Sequence, residues 1–197
     1  MQSLSLFPLG SVLFPGGRMP LRIFEQRYLD LVRQCLKQDE DFGMVWITSG
    51  SEISQPEGMA PELAAVGTTA RIVDWDALPN GLLGVTVEGG ERFRLRASQP
   101  RADKLVIGEV ELLPAPIAQP LPDSADSLLE VLVNLEHHPH VQRLGITTDH
   151  ANAWEVCWTL AQLLPVEEDI KYRILACPTL EDTIELLDAA LNELGGD

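Results

Sequence analysis

Positively charged side chains are scarce in this sequence. Its 197 residues carry 14 lysines and arginines against 30 aspartates and glutamates, a formal net charge of −16 at pH 7. The imbalance is concentrated in residues 119–197, where 3 basic residues face 15 acidic ones. Because such an acidic chain repels phosphate backbones, nucleic acid is not expected as a partner. The charge by itself favours solubility.

Cysteine and long hydrophobic runs are also scarce. The three cysteines, Cys35, Cys157 and Cys177, lie far apart among apolar residues. An odd, dispersed set argues against a disulfide framework and is typical of a reducing cytoplasm, so we interpret all three as buried small hydrophobes. No apolar run approaches the roughly 20 residues that span a bilayer, and the amino terminus lacks the basic region of a signal peptide. We therefore expect a cytoplasmic protein with no membrane partner.

Motifs that carry catalysis or hold a cofactor are missing as well. The sequence has no GxxxxGK[ST] phosphate-binding loop, and no spacing suggests a Ser-His-Asp or Cys-His arrangement. Three imidazoles, His137, His138 and His140, crowd into four residues and His150 follows. Because ligands that close together cannot all converge on one ion, we interpret them as a solvated helix end rather than a metal site. The sequence thus predicts no catalytic residue, no cofactor and no metal.

What is present falls into two patterns. Up to residue 113, short β-like runs alternate with turn residues, which favours a small, closed or nearly closed β-barrel. Strands are expected at residues 42–48, 66–75, 82–87, 92–96 and 105–113. Residues 49–61 read as a loop, while Pro79-Asn80-Gly81 and Gly89-Gly90 are predicted tight turns. Residues 92–96 alternate strictly, which places Phe93 and Leu95 inward and the arginines outward.

The second pattern is helical. Pro114, Pro116, Pro120 and Pro122 mark an extended linker, and we divide the chain into a barrel subdomain, residues 1–118, and a helical subdomain, residues 119–197. Three or four helices are expected in the latter, within residues 124–138, 152–164, 166–177 and 179–195. Asn152 and Thr179 are the predicted amino-terminal caps of two of them.

A further helix is expected early in the chain, from about residue 23 to about residue 38. Phe24 and Tyr28 fall on its apolar face and are predicted to be buried. Glu25 and Arg27 lie off that face, and we interpret them as an ion pair that orients the helix on the barrel.

The opening segment, residues 4–28, carries a resemblance to a known family. Prolines and glycines punctuate short apolar runs there, and the order is specific. It resembles the start of the amino-terminal substrate-binding domain of the Lon protease family at Phe7-Pro8-Leu9, Val12-Leu13-Phe14-Pro15-Gly16, Pro20-Leu21, Ile23-Phe24-Glu25 and Arg27-Tyr28. The resemblance continues through Val66-Gly67-Thr68, Asn80-Gly81, Gly89-Gly90 and residues 92–95, and through residues 160–165 and 170–175 of the helical part.

This resemblance implies an α+β fold, a PUA-like pseudo β-barrel followed by a carboxy-terminal helical bundle. It also implies a stand-alone bacterial member without the ATPase and peptidase domains of Lon, and hence not an enzyme. We hypothesise a non-catalytic recognition module that captures unfolded or apolar peptide segments in the groove between barrel and bundle. An adaptor related to proteolysis, with a protease or chaperone as partner, is an overlapping interpretation.

The candidate peptide-binding residues come from three places, the early helix, one barrel strand and one helix of the bundle: Phe24, Glu25, Arg27, Tyr28, Arg92, Phe93, Trp154 and Trp158. Alternatives remain at this point. The barrel could bind RNA or a small ligand, and residues 92–101 are its one basic region. Arg92, Arg94 and Arg96 could hold an acidic peptide or carboxylate there, although they also suit a solubilising outer face or the protection of a strand edge. An unrecognised hydrolase would need a nucleophile and a base that the sequence does not show.

Overall fold

The computed structural model describes residues 1–50, 61–79 and 82–195. Six strands and one helix form the first part: β1 (Gln2–Leu9), β2 (Arg18–Ile23), α1 (Gln26–Gln38), β3 (Phe42–Ser49), β4 (Glu62–Ala77), β5 (Leu83–Pro100) and β6 (Val106–Leu112). Five helices follow: α2 (Asp126–Glu136), α3 (Pro139–Leu144), α4 (Ala153–Leu163), α5 (Glu168–Ala176) and α6 (Leu180–Gly195). Most of the predicted loop at 49–61, and Asn80 and Gly81 of the predicted turn, lie outside the described residues.

The strands form one mixed sheet in the order β2-β5-β4-β3-β1-β6. β1 and β3 run parallel, and the other pairs are antiparallel. The long strand β5 pairs with β2 through its first half and with β6 through its second half. That second pairing curls the sheet into a pseudo-barrel, which is not a regular closed barrel. The predicted α+β class is confirmed.

One predicted turn is wrong. Gly89 and Gly90 do not reverse the chain but lie inside β5, which runs on for 18 residues. A Cβ atom on Gly89 would stand 2.0 Å from the carbonyl oxygen of Phe14, and one on Gly90 would stand 2.5 Å from Thr69 Oγ1. The glycines therefore mark a close approach of two chain segments. A glycine inside a strand often occurs where another backbone comes this close.

Helix α1 begins at Gln26, three residues later than the sequence predicts, and Phe24 precedes it. Phe24 is 57% exposed, so the expectation that it is buried with Tyr28 is wrong. Tyr28 itself is buried, together with Leu31, Val32 and Cys35 on the same helical face. The apolar face of the helix is thus confirmed from Tyr28 onward, and Phe24, which precedes the helix, is not part of it.

The helical part follows the sequence closely. Residues 113–122 form neither helix nor strand, as the four prolines predict. Asn152 caps α4 by accepting a hydrogen bond from the Trp154 N–H, and Thr179 Oγ1 accepts from the Asp182 N–H ahead of α6. Helix α3 is additional; it begins with a proline and ends at Gly145 in the left-handed region, φ 65°. No helix in the described ranges is long and apolar enough to cross a membrane.

Barrel and helices share a core. The cluster that fills the helical part also contains Val12, Phe14 and Val66 of the barrel. The segment between β1 and β2 is bonded directly to the helices: Val12 N–H donates to Glu168 Oε2 at 2.7 Å, and Phe14 N–H donates to Gln162 Oε1 at 3.0 Å. The helical part therefore holds in place the chain that leads into β2.

Candidate functional site

An apolar groove opens where β1 ends beside β2. Its walls are the end of β1, most of β2 and the turn into α1, and it encloses about 380 Å³. We call it the β1–β2 groove; it is lined by Phe7, Pro8, Leu9, Ser11, Met19, Pro20, Leu21, Arg22, Ile23, Phe24, Glu25 and Tyr28. The site thus lies within the segment that carries the family resemblance.

The groove exists because the sheet is incomplete on this side. β6 pairs with β1 only as far as Leu6, so the last residues of β1 keep β3 as a partner on one edge. β2 pairs with β5 alone among the described strands. Pro8 and Pro20 stand in these two strands and have no N–H to donate. Prolines at such positions protect an open edge from pairing along its whole length.

Packed side chains form the floor of the groove. The rings of Phe7 and Tyr28 stack with their centroids 4.0 Å apart, and the Arg27 guanidinium lies 4.4 Å from the centre of the Tyr28 ring. Arg27 in turn pairs with Glu25 at 3.0 Å and donates to the Lys104 carbonyl oxygen at 2.9 Å. The predicted ion pair between Glu25 and Arg27 is present, and its role in orienting α1 on the barrel stays an interpretation.

The rim of the groove is exposed, unlike its floor, because more than half of the surface of Phe24 faces solvent. Exposed aromatic surface next to an apolar groove is unfavourable in water unless something covers it. The groove therefore offers apolar area, one free aromatic ring and the edges of two strands. These features suit the binding of an extended chain.

The predicted exposure of Arg92 is wrong. The alternating pattern places it outward from the barrel, but the helices cover this part of the barrel surface and Arg92 is only 9% exposed. Its Nη1 donates to the carbonyl oxygens of Leu175 and Cys177 at 2.9 and 3.0 Å. Burial lowers the pKa of the guanidinium below its ordinary value. Arg92 is therefore not part of an exposed basic edge.

Trp154 and Trp158 lie in the same interface. Their rings are 5.3 Å apart, and the Arg92 guanidinium stands 5.2 Å from the Trp158 ring centre. They pack the bundle against the barrel, as expected, and both are buried there, at 4% and 6% exposure. Phe93 is fully buried inside the barrel. Any role of these residues in peptide binding stays a prediction.

The structure thus separates the eight predicted residues. Phe24, Glu25 and Tyr28 line the β1–β2 groove, and Arg27 contacts Glu25 and Tyr28 without lining it. The other four support the core and the barrel–bundle interface. The sequence-based prediction missed Gln162 and Glu168, which hold the chain leading into β2. Nothing in a helical pattern distinguishes such residues from ordinary solvent-facing ones.

His137 lies at the end of its helix as the sequence predicts, whereas His138 is the amino-terminal cap of α3 and His140 lies within α3. His137 stands at the end of α2, with Nδ1 2.6 Å from the Val133 carbonyl oxygen, and His150 pairs with Glu136 at 3.0 Å. Within residues 1–50, 61–79 and 82–195, no group of three His, Cys, Asp or Glu side chains is placed to hold a metal ion. All three cysteines are free and buried, which confirms their interpretation as small hydrophobes.

A pseudo-barrel with a docked helical part and an apolar groove at one open edge defines an α+β domain with a candidate binding groove. The chain belongs to the family of the ATP-dependent protease La (LON) substrate-binding domain, whose model matches residues 3–193. The match spans both parts of the fold, and its description names substrate binding rather than catalysis.

Individual relatives agree with this assignment. The Lon N-terminal domain protein of Xanthomonas campestris superimposes with a TM-score of 0.77 at 35% identity, covering 96% of this chain and 98% of that one. Lon protease 2 of Myxococcus xanthus is 32% identical over 95 residues, which is 48% of this chain and 11% of that protein. Lon protease of Brevibacillus choshinensis is 22% identical over 97% of this chain. The chain spans at most a quarter of the length of these two proteases.

Proposed function

We propose that this chain captures extended apolar or aromatic segments of unfolded polypeptides in the β1–β2 groove. The observation that carries the proposal is Phe24, which is 57% exposed at the rim of an apolar groove of about 380 Å³. Membership in a substrate-binding family supports a polypeptide as the ligand. Because the groove is small, affinity should be modest and reversible.

Within the groove, we assign Phe24 the role of anchor and Tyr28 that of floor. A bound apolar side chain would cover the exposed Phe24 ring, while the stacked Phe7 and Tyr28 rings keep the floor in place. The Glu25–Arg27 pair holds the turn from which Phe24 projects. Aromatic anchors of this kind carry a large share of the free energy of peptide binding.

The test is peptide binding measured on an array and then by fluorescence anisotropy. We expect apolar or aromatic peptides to bind the wild type with little dependence on salt, and Phe24→Ala to weaken binding about tenfold or more. Ile117→Ala is the matched control, because Ile117 is 86% exposed in the linker and away from the groove. Failure of every peptide to bind, or equal affinity of both variants, would refute capture in this groove.

An adaptor role is the finer form of this proposal, with a protease or chaperone receiving the captured segment. Its support is the kinship with Lon proteases, which are several times longer than this chain. The test compares degradation of an unfolded client by a purified ATP-dependent protease with and without this chain. A rate that changes with wild type and not with Phe24→Ala supports the adaptor, and identical rates contradict it.

RNA binding by the barrel is not favoured. Of the three arginines in question, Arg92 is buried and Arg96 pairs with Glu111 at 3.0 Å. The overall charge of −16 opposes a phosphate backbone.

A further inference from the structure

A second open sheet edge lies on the far side of β5 from the groove. β3 pairs with β4 only as far as Ala70, whereas β4 continues to Ala77 with β5 as its partner on the other side. Among the described residues, no strand pairs with the segment Val73–Ala77 on the side opposite β5, and we call this side the β4 edge. Because β5 separates this edge from β2, it is a surface distinct from the β1–β2 groove.

The β4 edge exposes apolar side chains that a strand would normally cover. Trp75 is 60% exposed and Val73 is 40% exposed, and both belong to a strand whose other side chains here are also exposed. Tryptophan is enriched at the centres of protein interfaces, and it has a large apolar area that is costly to leave in water. The edge therefore has the composition of an interface.

One backbone donor at this edge is bonded to a neighbouring side chain. The Trp75 N–H donates to Oδ1 of the adjacent Asp74 at 2.9 Å. A side chain that satisfies its neighbour's N–H in this way takes the place that the carbonyl of another strand could occupy. If a strand carbonyl accepted this hydrogen bond instead, the Asp74 carboxylate would be free to pair with a basic side chain of the added strand.

The negative charge of the β4 edge indicates the charge of its partner. Asp74 and Asp76 are both exposed at the edge, and the described basic residue nearest in sequence, Arg71, is paired with Asp41 at 2.9 Å. Antiparallel pairing of two copies of this edge would bring aspartates close to aspartates, which is destabilising. We propose that the β4 edge binds an extended segment of a partner protein that alternates lysine or arginine with apolar residues, added as a strand beside Trp75.

The experiment uses short synthetic peptides and the fluorescence of Trp75. Trp75 is much more exposed than the buried Trp154 and Trp158, so a strand that covers it should shift the protein emission to shorter wavelength. The probe is a peptide that alternates lysine and valine. One control replaces lysine with glutamate, and a second keeps the lysines but carries N-methylated backbone amides, which cannot complete a strand pair.

We expect the lysine–valine peptide to shift the emission and both control peptides to fail. Asp74→Asn combined with Asp76→Asn should weaken binding about three- to tenfold, the range for two exposed ion pairs. Phe24→Ala should leave it unchanged, which separates this surface from the β1–β2 groove. Equal binding of the glutamate or N-methylated peptide would overturn the proposal, as would absence of any shift. So would a concentration-dependent dimer abolished by Trp75→Lys, since the occupant would then be a second copy.

Discussion

Arg92 shows how a single charged residue can serve packing. Its guanidinium donates two hydrogen bonds to carbonyl oxygens near the end of α5 and stands over the Trp158 ring. Carbonyls at a helix carboxyl end carry partial negative charge, so they suit a buried cation in place of a carboxylate. Through these contacts, strand β5 and the helical part are joined at one side chain.

We predict that Arg92→Met destabilises the protein by about 2–4 kcal/mol, because two buried carbonyls lose their donor and the indole rings lose the cation. Arg94→Met is the matched control: Arg94 lies two residues further along β5 and is exposed, so its replacement should cost less than about 0.5 kcal/mol. Urea unfolding followed by circular dichroism measures both. Similar losses for the two variants would contradict the role assigned to Arg92.

The buried thiols make a prediction about pH. Burial raises the pKa of Cys157 to about 12 and that of Cys35 to about 11. Unfolded thiols titrate near 8.5, so above about pH 9 the unfolded chain releases a proton that the folded chain keeps. Stability should therefore fall as pH rises, by about 1.4 kcal/mol per pH unit for each thiol until the folded pKa is reached.

The measurement is the free energy of unfolding from about pH 7 to about pH 11, for wild type and for Cys157→Ala. The variant should be less stable at neutral pH, because it leaves a small cavity, but its stability should fall less steeply above about pH 9. The difference between the two curves isolates Cys157 from every other group that contributes to the pH dependence. Parallel curves would show that Cys157 is not protected from ionisation.

At the scale of single residues, the sequence predicts which face of a strand a side chain lies on, but not which distant segment covers that face. Alternation correctly puts Phe93 inside the barrel, and it equally puts Arg92 and Arg94 outside. Only the docking of α4 and α5, some sixty residues or more further along the chain, distinguishes the buried arginine from the exposed one. The prediction that Phe24 is buried is wrong for a related reason, because helical periodicity applies only within the helix and Phe24 precedes it.

Among the secondary-structure elements, strand β5 can pack against its neighbouring segment only because residue 89 is a glycine. Gly89 N–H donates to the Gly17 carbonyl oxygen at 2.9 Å, and Gly16 N–H donates to the Gly89 carbonyl oxygen at 2.8 Å. These hydrogen bonds bring the segment that precedes β2 against β5. The distance leaves no space for a methyl group on Gly89.

We predict that Gly89→Ala costs at least about 2–3 kcal/mol, because its Cβ would stand 2.0 Å from the Phe14 carbonyl oxygen and the backbone would have to move. Gly195→Ala is the control, since nothing lies within 4 Å of a Cβ there and alanine favours a helix. Thermal unfolding compares the two. A Gly89→Ala protein as stable as wild type would mean that β5 and the β1–β2 segment are not in this close contact.

Helices are predicted from sequence better than this sheet is, for a physical reason. The signals for α4 and α6 are local: a capping residue and an apolar stripe within the same stretch. The continuity of β5 and the parallel pairing of β1 with β3 depend on contacts between distant segments. Gly89-Gly90 gives the same local signal for a turn and for a close approach inside a strand, so only the partner segment decides between them.

On the scale of the whole molecule, the four prolines of residues 113–122 mark the predicted boundary between two subdomains. In the structure, several kinds of contact join the two parts. Val12, Phe14 and Val66 enter the core of the helical part, the Ala65 N–H donates to the Tyr172 hydroxyl at 3.2 Å, and Tyr172 packs against Trp46. A barrel without the helices would expose this apolar surface to water, at a cost that grows with the area.

These contacts predict that the two parts unfold together. Loss of the helices would uncover Phe14 and leave the Val12 and Phe14 N–H groups without Glu168 and Gln162, so the barrel should not survive it. We expect one transition in urea, with helical ellipticity and tryptophan emission changing at the same concentration. Residues 1–118 expressed alone should bind a hydrophobic dye and lack the cooperative transition. Two separated transitions, or a cooperatively folded 1–118 fragment, would show instead that the proline segment divides the chain into independent units and that the β1–β2 groove does not need the helices to keep its shape.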